Sequence, residues 1–199
     1  MNIHKQQLEQ IRKDSRYREN IEWGSPRPGH PEGTVQKHIL ELESNLNALE
    51  PETTSLERDK LKLLIHVHDS FKKDAKRGVA ITDPHSHASL ARSFLAGYCS
   101  DQDLLNMVQF HDEPYALFKR ERRGQSAERR LQELRSKIKD WRLFLLFLVI
   151  DSTTVGKSRE PLLWALTRLA EPLGFGTDLN KWIALCEARS GKGCSPLAM

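Results

Sequence analysis

Six side chains of the kinds that bind metal ions lie between residues 38 and 151, each in or beside a segment with helical apolar spacing. They are His38, His68, Asp69, His87, His111 and Asp151. Imidazole and carboxylate ligands together suit Fe, Mn, Co, Ni or Zn, and the sequence does not separate these from Mg. Such ions bring the pKa of a bound water toward ~7 and so provide hydroxide for phosphoester hydrolysis. Six ligands are enough for two divalent ions, with Asp69 as the natural bridge.

The four histidines of this set share helix faces with apolar neighbours. His38 follows Val35 by three positions, and His68 follows Leu64 by four. A buried imidazole without a partner costs ~1–3 kcal/mol, so a single such residue is more often a hydrogen-bonded core histidine than a ligand. Four of them on four separate helices, with two aspartates similarly placed, favour a shared site.

Some assignments remain open at this stage. His85 is two residues from His87 and could replace it, although His87 shares its face with Leu90. Asp112 could compete as a ligand but is expected to face away. Glu32 could orient His38 or a water molecule, or it could simply cap the helix that follows it.

Two further histidines receive other roles. His66 lies two residues before His68, on roughly the opposite side of the helix, and is expected to be structural. His30 lies in a loop and is expected to line the entrance of the site.

Helices are the elements that must position these residues, because long alternating strand patterns are absent. Residues 21–33 contain three prolines and three glycines and are predicted to form a loop, whereas Pro114 is expected to end or bend the helix of His111. Thr34, Ser86 and Asp101 are the predicted N-caps of three helices. Helices are predicted at 3–20, 35 to about 49, through 61–68, at 87–96, 102–111, 125–139, 140–151, 160–173 and 179–188. The fold class is therefore all-α, with one domain over 1–199 that ends in C-terminal helices (160–190) and a loose tail (191–199).

Composition adds limits on the class of protein. The net charge is +4, and residues 119–142 contain ten basic and four acidic residues, which favours a solvated helix face over an anion-binding rim. The N-terminus is polar, and the most apolar run, 143–150, is far shorter than the ~20 residues of a membrane span. Three well-separated cysteines indicate free thiols, so a cytoplasmic protein is expected, without membrane attachment.

The order of the segments HPEGTVQKH, HVHDSFK, SHASLAR and FHD, followed by Asp151, resembles the H…HD…H…H…D pattern of the HD superfamily over about residues 24–160. GHPEGTVQKHI is similar to the opening of the HD domain of bacterial CCA-adding enzymes. HDSFK and DSTTVGKSRE are similar to the HDxGK and D-x-x-G-[RK] segments there, with Phe71 where glycine is usual.

This resemblance implies a single HD-domain helical bundle with metal-dependent phosphohydrolase activity. It implies one metal held by the first histidine, the HD doublet and the late aspartate, and a second completed by His87 and His111. Asp69 and Lys72 would be catalytic, with Lys72 beside the phosphate of a small phosphorylated substrate, a nucleotide or cyclic nucleotide. The predicted substrate-binding set is Lys72, Arg92, Arg120, Arg122 and Glu32. Of these, the resemblance implies only Lys72, whereas Arg92, one turn beyond His87, and Arg120 and Arg122 are proposed from their positions to hold a second anionic group, although surface solvation is the commoner role of such arginines.

Two other functions stay open. An HD-type diiron oxygenase, as in myo-inositol oxygenase, uses the same six-ligand pattern. A non-enzymatic metal- or nucleotide-binding module could use residues 119–142 as a docking or nucleic-acid surface, but the lack of interleaved aromatic residues supports this only weakly. The segment Thr154–Ser158 resembles the end of a P-loop, which is rejected because no strand precedes it. The sequence gives no indication of the oligomeric state.

Overall fold

The computed structural model describes residues 2–189, and within that range the chain forms helices and no β-strand, which confirms the all-α prediction. The helices are α1 (Ile3–Lys13), α2 (Ser15–Ile21), α3 (Val35–Ala48), α4 (Ser55–Val67), α5 (His87–Ala96), α6 (Gln102–Phe110), α7 (Glu113–Arg122), α8 (Glu128–Lys137), α9 (Trp141–Ser152), α10 (Glu160–Ala165) and α11 (Gly176–Arg189). Short 3₁₀ turns follow α3 and precede α11, and a π-helical turn at Leu166–Ala170 continues α10. None of the helices between residues 2 and 189 combines the length and apolar character that crossing a bilayer requires.

The three predicted N-caps are confirmed. Thr34, Ser86 and Asp101 each accept hydrogen bonds from backbone N–H groups in the first turn of α3, α5 and α6. Such side chains satisfy donors that the helix itself leaves unpaired, which is why the starts of these helices can be read from the sequence.

Two local predictions are wrong. Residues 3–20 do not form one helix, because Asp14 adopts extended backbone and its carboxylate accepts from the N–H of Arg16, which starts α2. Pro114 does not end or bend the helix of His111, since α6 has already ended at Phe110 and Pro114 lies in the first turn of α7. Proline suits a first turn because its missing N–H has no helical partner there.

Helix α9 is buried on nearly all sides and lies at the centre of the core. Its residues Phe144, Leu145 and Ile150 are fully buried, and it packs against α3, α4, α10 and α11. Cys99 is a buried free thiol, as predicted, and the buried Cys186 thiol lies 3.8 Å from the carbonyl oxygen of Asn45. The predictions for Cys194 and for the tail at 191–199 lie outside the described residues, and the single-domain prediction stays a prediction.

The six candidate ligands all lie at helix ends. His38 is in the first turn of α3, His87 begins α5, and Asp151 is in the last turn of α9. His68 and His111 follow the last residues of α4 and α6 directly, and Asp69 comes next after His68. The packing of these five helices brings their ends to one side of the core.

A close approach of two loops completes that side. Gly156 has a φ of +81°, and a Cβ atom there would lie 2.9 Å from Cδ of Pro31. Glycine is therefore required for the loop after α9 to pack against the loop that carries His30 and Glu32.

Candidate metal centre

The six predicted ligands converge in two adjoining groups. One group contains His38, His68 and Asp151, and the other contains Asp69, His87 and His111. Within each group, one potential ligand atom from every residue lies within 4.8 Å of the others. Residues as far apart in the chain as His38 and Asp151 are thus in contact, with 3.0 Å between Nε2 and Oδ1.

Asp69 lies between the two groups. Its Oδ2 atom is 3.5 Å from Nε2 of His68, and its Oδ1 atom is 3.5 Å from Nε2 of His111 and 3.7 Å from Nε2 of His87. One carboxylate therefore presents one oxygen to each group, which is the arrangement expected of a bridging ligand.

Backbone carbonyls fix the orientation of two of the imidazole rings. Nδ1 of His68 lies 3.1 Å from the carbonyl oxygens of Leu64 and Ile65, and Nδ1 of His111 lies 2.8 Å from that of Val108. A carbonyl can only accept, so Nδ1 of each ring carries a proton, and Nε2 faces the cluster with a lone pair whenever the ring is neutral. Histidines that ligate metals are commonly oriented in this way.

A carboxylate orients the third ring. Oε1 of Glu32 lies 3.2 Å from Nδ1 of His38 and 2.9 Å from Nδ1 of His30. On the other side of the ring, Nε2 of His38 lies 3.0 Å from Oδ1 of Asp151. Of the two roles left open for Glu32, the contact with His38 is the one that the structure displays.

Three buried atoms of the predicted ligands make no hydrogen bond, and one of them is Nδ1 of His38, whose contact with Glu32 is an ion pair at 3.2 Å. Nε2 of His68 and Oδ1 of Asp69 are both inaccessible to solvent and both face the cluster. An unsatisfied buried polar group costs ~1–3 kcal/mol, more if charged, so such atoms call for an explanation. A neutral imidazole nitrogen and a carboxylate oxygen aimed at a common point fit a divalent cation, as does the whole donor set.

Charges within the cluster are strongly coupled. Burial lowers the pKa of His68 to about 3. Burial also acts to lower the pKa values of His38 and His111, but neighbouring carboxylates, Asp151 for His38 and Asp112 for His111, outweigh it and raise each to about 9. Burial opposes ionisation of Asp69 and Asp151, but Lys72 and Lys157 respectively, with the histidines, hold their pKa values well below the usual range.

Two lysines pair with the carboxylates of the cluster. Lys72 donates to Oδ2 of Asp69, and Nζ of Lys157 lies 2.7 Å from Oδ1 of Asp151. Both lysines line a cavity of about 410 Å³ that is also lined by His30, and the prediction that His30 lies at its entrance stays a prediction. Lys157 was missed in the sequence because it falls in the P-loop-like segment, and its place six residues after Asp151 was the available signal.

The other predicted residues fall in different places. His85 is 76% exposed and pairs with Asp83, so His87 and not His85 belongs to the cluster. His66 contacts Tyr17 and Glu43 away from the cluster, in keeping with a structural role.

The expectation that Asp112 faces away from the cluster is wrong. Its Oδ2 atom is 3.3 Å from Nε2 of His87 and 3.7 Å from Nε2 of His111. Asp112 follows the end of α6, where the chain turns, so its direction could not be obtained from helical spacing.

Three predicted substrate-binding arginines make contacts elsewhere. Arg92 donates to Asn106 and Gln102, Arg120 donates to the carbonyl of Ser126, and Arg122 pairs with Glu160. None of the three lines the cavity of the cluster. Their role in substrate binding stays a prediction.

Comparisons of the chain with models of protein families, with curated proteins and with solved structures find no match.

Proposed function

We propose that the protein is a metal-dependent phosphohydrolase of the HD type. The observation that carries the proposal is the convergence of four histidines and two aspartates from five helix ends into two adjoining groups, with Asp69 between them. Buried side chains of this kind are rare unless they are paired or bind a cation. The proposed ligands of the first ion are His38, His68, Asp69 and Asp151, and those of the second are Asp69, His87 and His111.

Divalent ions bound by these residues would supply hydroxide at neutral pH and a Lewis acid beside a phosphoryl oxygen. The protein's own contribution is to hold the donors in place. Hydrogen bonds from Nδ1 of His68 and His111 keep the two Nε2 atoms directed at the cluster. The carboxylate of Glu32, 3.2 Å from Nδ1 of His38, would favour a proton on that nitrogen.

An anionic substrate is favoured by the three lysines that line the cavity, Lys72, Lys119 and Lys157. Burial opposes the charge of Lys72, but Asp69 and Asp112 outweigh it and raise the pKa of its ammonium group. When Asp69 and Asp151 serve as ligands, Lys72 and Lys157 can turn to the oxygens of a phosphate. A cavity of about 410 Å³ is large enough for a nucleotide, which is the substrate we propose.

The test combines metal content with turnover. The protein is stripped with a chelator and reloaded with Mn, Fe, Co, Ni, Zn or Mg. Bound metal is then measured by elemental analysis, and phosphate release is followed on phosphomonoesters, 2′,3′-cyclic nucleotides and nucleoside triphosphates. We expect Asp69→Asn to lose bound metal and at least about 100-fold in turnover, because second-sphere changes alone cost 10–100-fold.

The matched control is Asp83→Asn, which removes the same charge from a residue whose partner is the exposed His85. It should keep both metal and turnover. Full turnover in metal-free Asp69→Asn protein would contradict the proposal. Oxygen consumption by the iron-loaded protein, without phosphate release by any metal form, would point to the oxygenase alternative instead.

A further inference from the structure

A second, larger cleft adjoins the cavity of the metal centre. Its volume is about 990 Å³, more than twice that of the 410 Å³ cavity. The two spaces share four lining residues, Lys72, Asp112, Tyr115 and Lys119, so they are neighbours across a common wall. Pockets for single small ligands span ~300–1,000 Å³, and the two together exceed that range. The space therefore fits a ligand that is longer than a mononucleotide.

Unpaired cations line this larger cleft. Arg27, Lys76, Arg77 and Lys119 all lie along it, and across residues 2–189 none of them has a carboxylate within 4.0 Å. The cleft's other two cations are neutralised differently. Lys72 pairs with Asp69, and Arg130 is held by both carboxylate oxygens of Glu113. Of these four unpaired cations, only Lys119 belongs to the basic segment 119–142. The other three come from other parts of the chain, so the positive charge of the cleft does not simply reflect that segment.

Aromatic side chains accompany these cations. Trp23 and Tyr115 line the cleft, and the Tyr115 side chain is 48% exposed. Nζ of Lys119 lies 4.2 Å from the centre of the Tyr115 ring, so a cation and an aromatic face occur together on the wall between the two spaces. A groove that combines cations with an exposed aromatic ring suits a chain of phosphates whose bases can stack.

We propose that this cleft binds a single-stranded oligonucleotide, one end of which enters the cavity of the metal centre. Arg27, Lys76 and Arg77 would pair with backbone phosphates, and Tyr115 would stack on a base beside the entrance. The inference names the substrate class of the proposed phosphohydrolase and rests on that function for cleavage, though not for binding. Hydrolysis would add water across one P–O bond, leaving a phosphate on one product and a hydroxyl on the other.

The test measures binding without turnover. A chelator removes metal, and fluorescence anisotropy follows fluorescein-labelled oligouridylate and oligothymidylate of about twelve nucleotides. Removing two phosphate contacts from a single strand should reduce the slope of log K against log salt by about 1.4. We expect that reduction, with weaker binding, in Lys76→Ala/Arg77→Ala, whose two residues are exposed.

A second variant tests stacking. Tyr115→Ala should weaken binding by roughly 5- to 150-fold, the loss that corresponds to one stacked base, and Tyr115→Phe should restore it. The matched control for charge is Lys137→Ala/Lys139→Ala, which removes two exposed lysines outside the cleft and should leave the salt slope near that of the wild type.

If the cleft variant and the control variant lose equal amounts of oligonucleotide affinity and salt dependence, the inference is overturned, because the strand is then attracted by the protein's overall charge alone. Failure of Tyr115→Phe to restore binding, or no binding of either strand, would also overturn it. If the oligonucleotide binds but no metal form of the protein hydrolyses it, the proposed binding role of the cleft is supported and the proposed phosphohydrolase function is contradicted. If the protein hydrolyses mononucleotides but does not bind the oligonucleotides, the phosphohydrolase function is supported and the binding role of the cleft is contradicted.

Discussion

Individual side chains of the candidate metal centre contact groups that are not among the six predicted ligands. The main-chain carbonyl of Val108 accepts a hydrogen bond from Nδ1 of His111, and the carboxylate of Glu32 lies 3.2 Å from Nδ1 of His38. An imidazole that keeps its proton on Nδ1 offers a defined lone pair at Nε2. The strength of metal binding should therefore depend on these partners as well as on the six ligands.

Glu32→Gln is the variant that tests this dependence. An amide lacks the negative charge that stabilises the Nδ1 protons of His30 and His38, so the affinity for a divalent ion should fall by about 10–100-fold. Competition between the protein and a chelating dye for Co²⁺ measures that affinity. Glu19→Gln, a change at an exposed carboxylate, should leave it unchanged. Equal affinities for wild type and Glu32→Gln would show that Glu32 does not position His38.

At the scale of helices, the site depends on where α4 and α9 begin and end. Helix α4 starts with a capping box in which Thr54 and Glu57 satisfy each other's backbone N–H groups. Glu57 also accepts a hydrogen bond of 2.9 Å from Arg142 at the start of α9. Helices α4 and α9 carry His68 and Asp151 at their C-terminal ends and are thus connected to each other at their N-terminal ends.

Glu57→Gln should reveal this link through its dependence on pH. Burial acts to raise the pKa of Glu57, but hydrogen bonds from Thr54 and Arg142 outweigh it and lower the pKa below the ordinary 4.5. A carboxyl group with a lowered folded-state pKa stabilises the fold above the unfolded-state pKa, and this contribution is lost as the pH falls toward the folded-state value. We expect the variant to lose about 1 kcal/mol of unfolding free energy at pH 7.

Urea unfolding at pH 7 and at successively lower pH measures this difference. The difference in unfolding free energy between wild type and Glu57→Gln should become smaller as the pH falls below 4.5. Glu50→Gln, at an exposed position in the preceding 3₁₀ turn, should show a small effect at every pH. If the difference in unfolding free energy stays constant as the pH falls, the Glu57 carboxylate does not stabilise the fold through its charge.

For the molecule as a whole, the proposed ligands tie five helices together around one point. Helices α3, α4, α5, α6 and α9 each contribute at least one of them at or next to an end. A ligand that binds only the folded chain stabilises it in proportion to the logarithm of its concentration over Kd. Metal binding should therefore stabilise the whole helical assembly.

Metal at about 100 times its Kd should raise the free energy of unfolding by about 2.7 kcal/mol. For a chain of this length that corresponds to an increase in Tm of roughly 5–11 °C. Thermal unfolding with and without Mn²⁺ measures the shift. Asp151→Asn should lose most of it, whereas Asp178→Asn, in the first turn of α11, should retain it. An equal shift in both variants would place the stabilising ion elsewhere.

The sequence by itself determined the features that depend on near neighbours in the chain. Helical spacing, the caps Thr34, Ser86 and Asp101, and the residue types of the six ligands all follow from local patterns. The two wrong helix predictions, at Asp14 and Pro114, also have a local cause. A residue that can cap or start a helix can equally interrupt one, and the local pattern does not distinguish these outcomes.

Only the tertiary structure decided which distant side chains meet. The pairing of Lys157 with Asp151, the approach of Asp112 to His87 and the cleft with its unpaired cations involve residues on different helices and loops. Helical periodicity indicates which face of a helix is buried, but it does not indicate which neighbour covers that face or which way a loop residue turns. Those contacts are fixed by the packing of the helices as a whole.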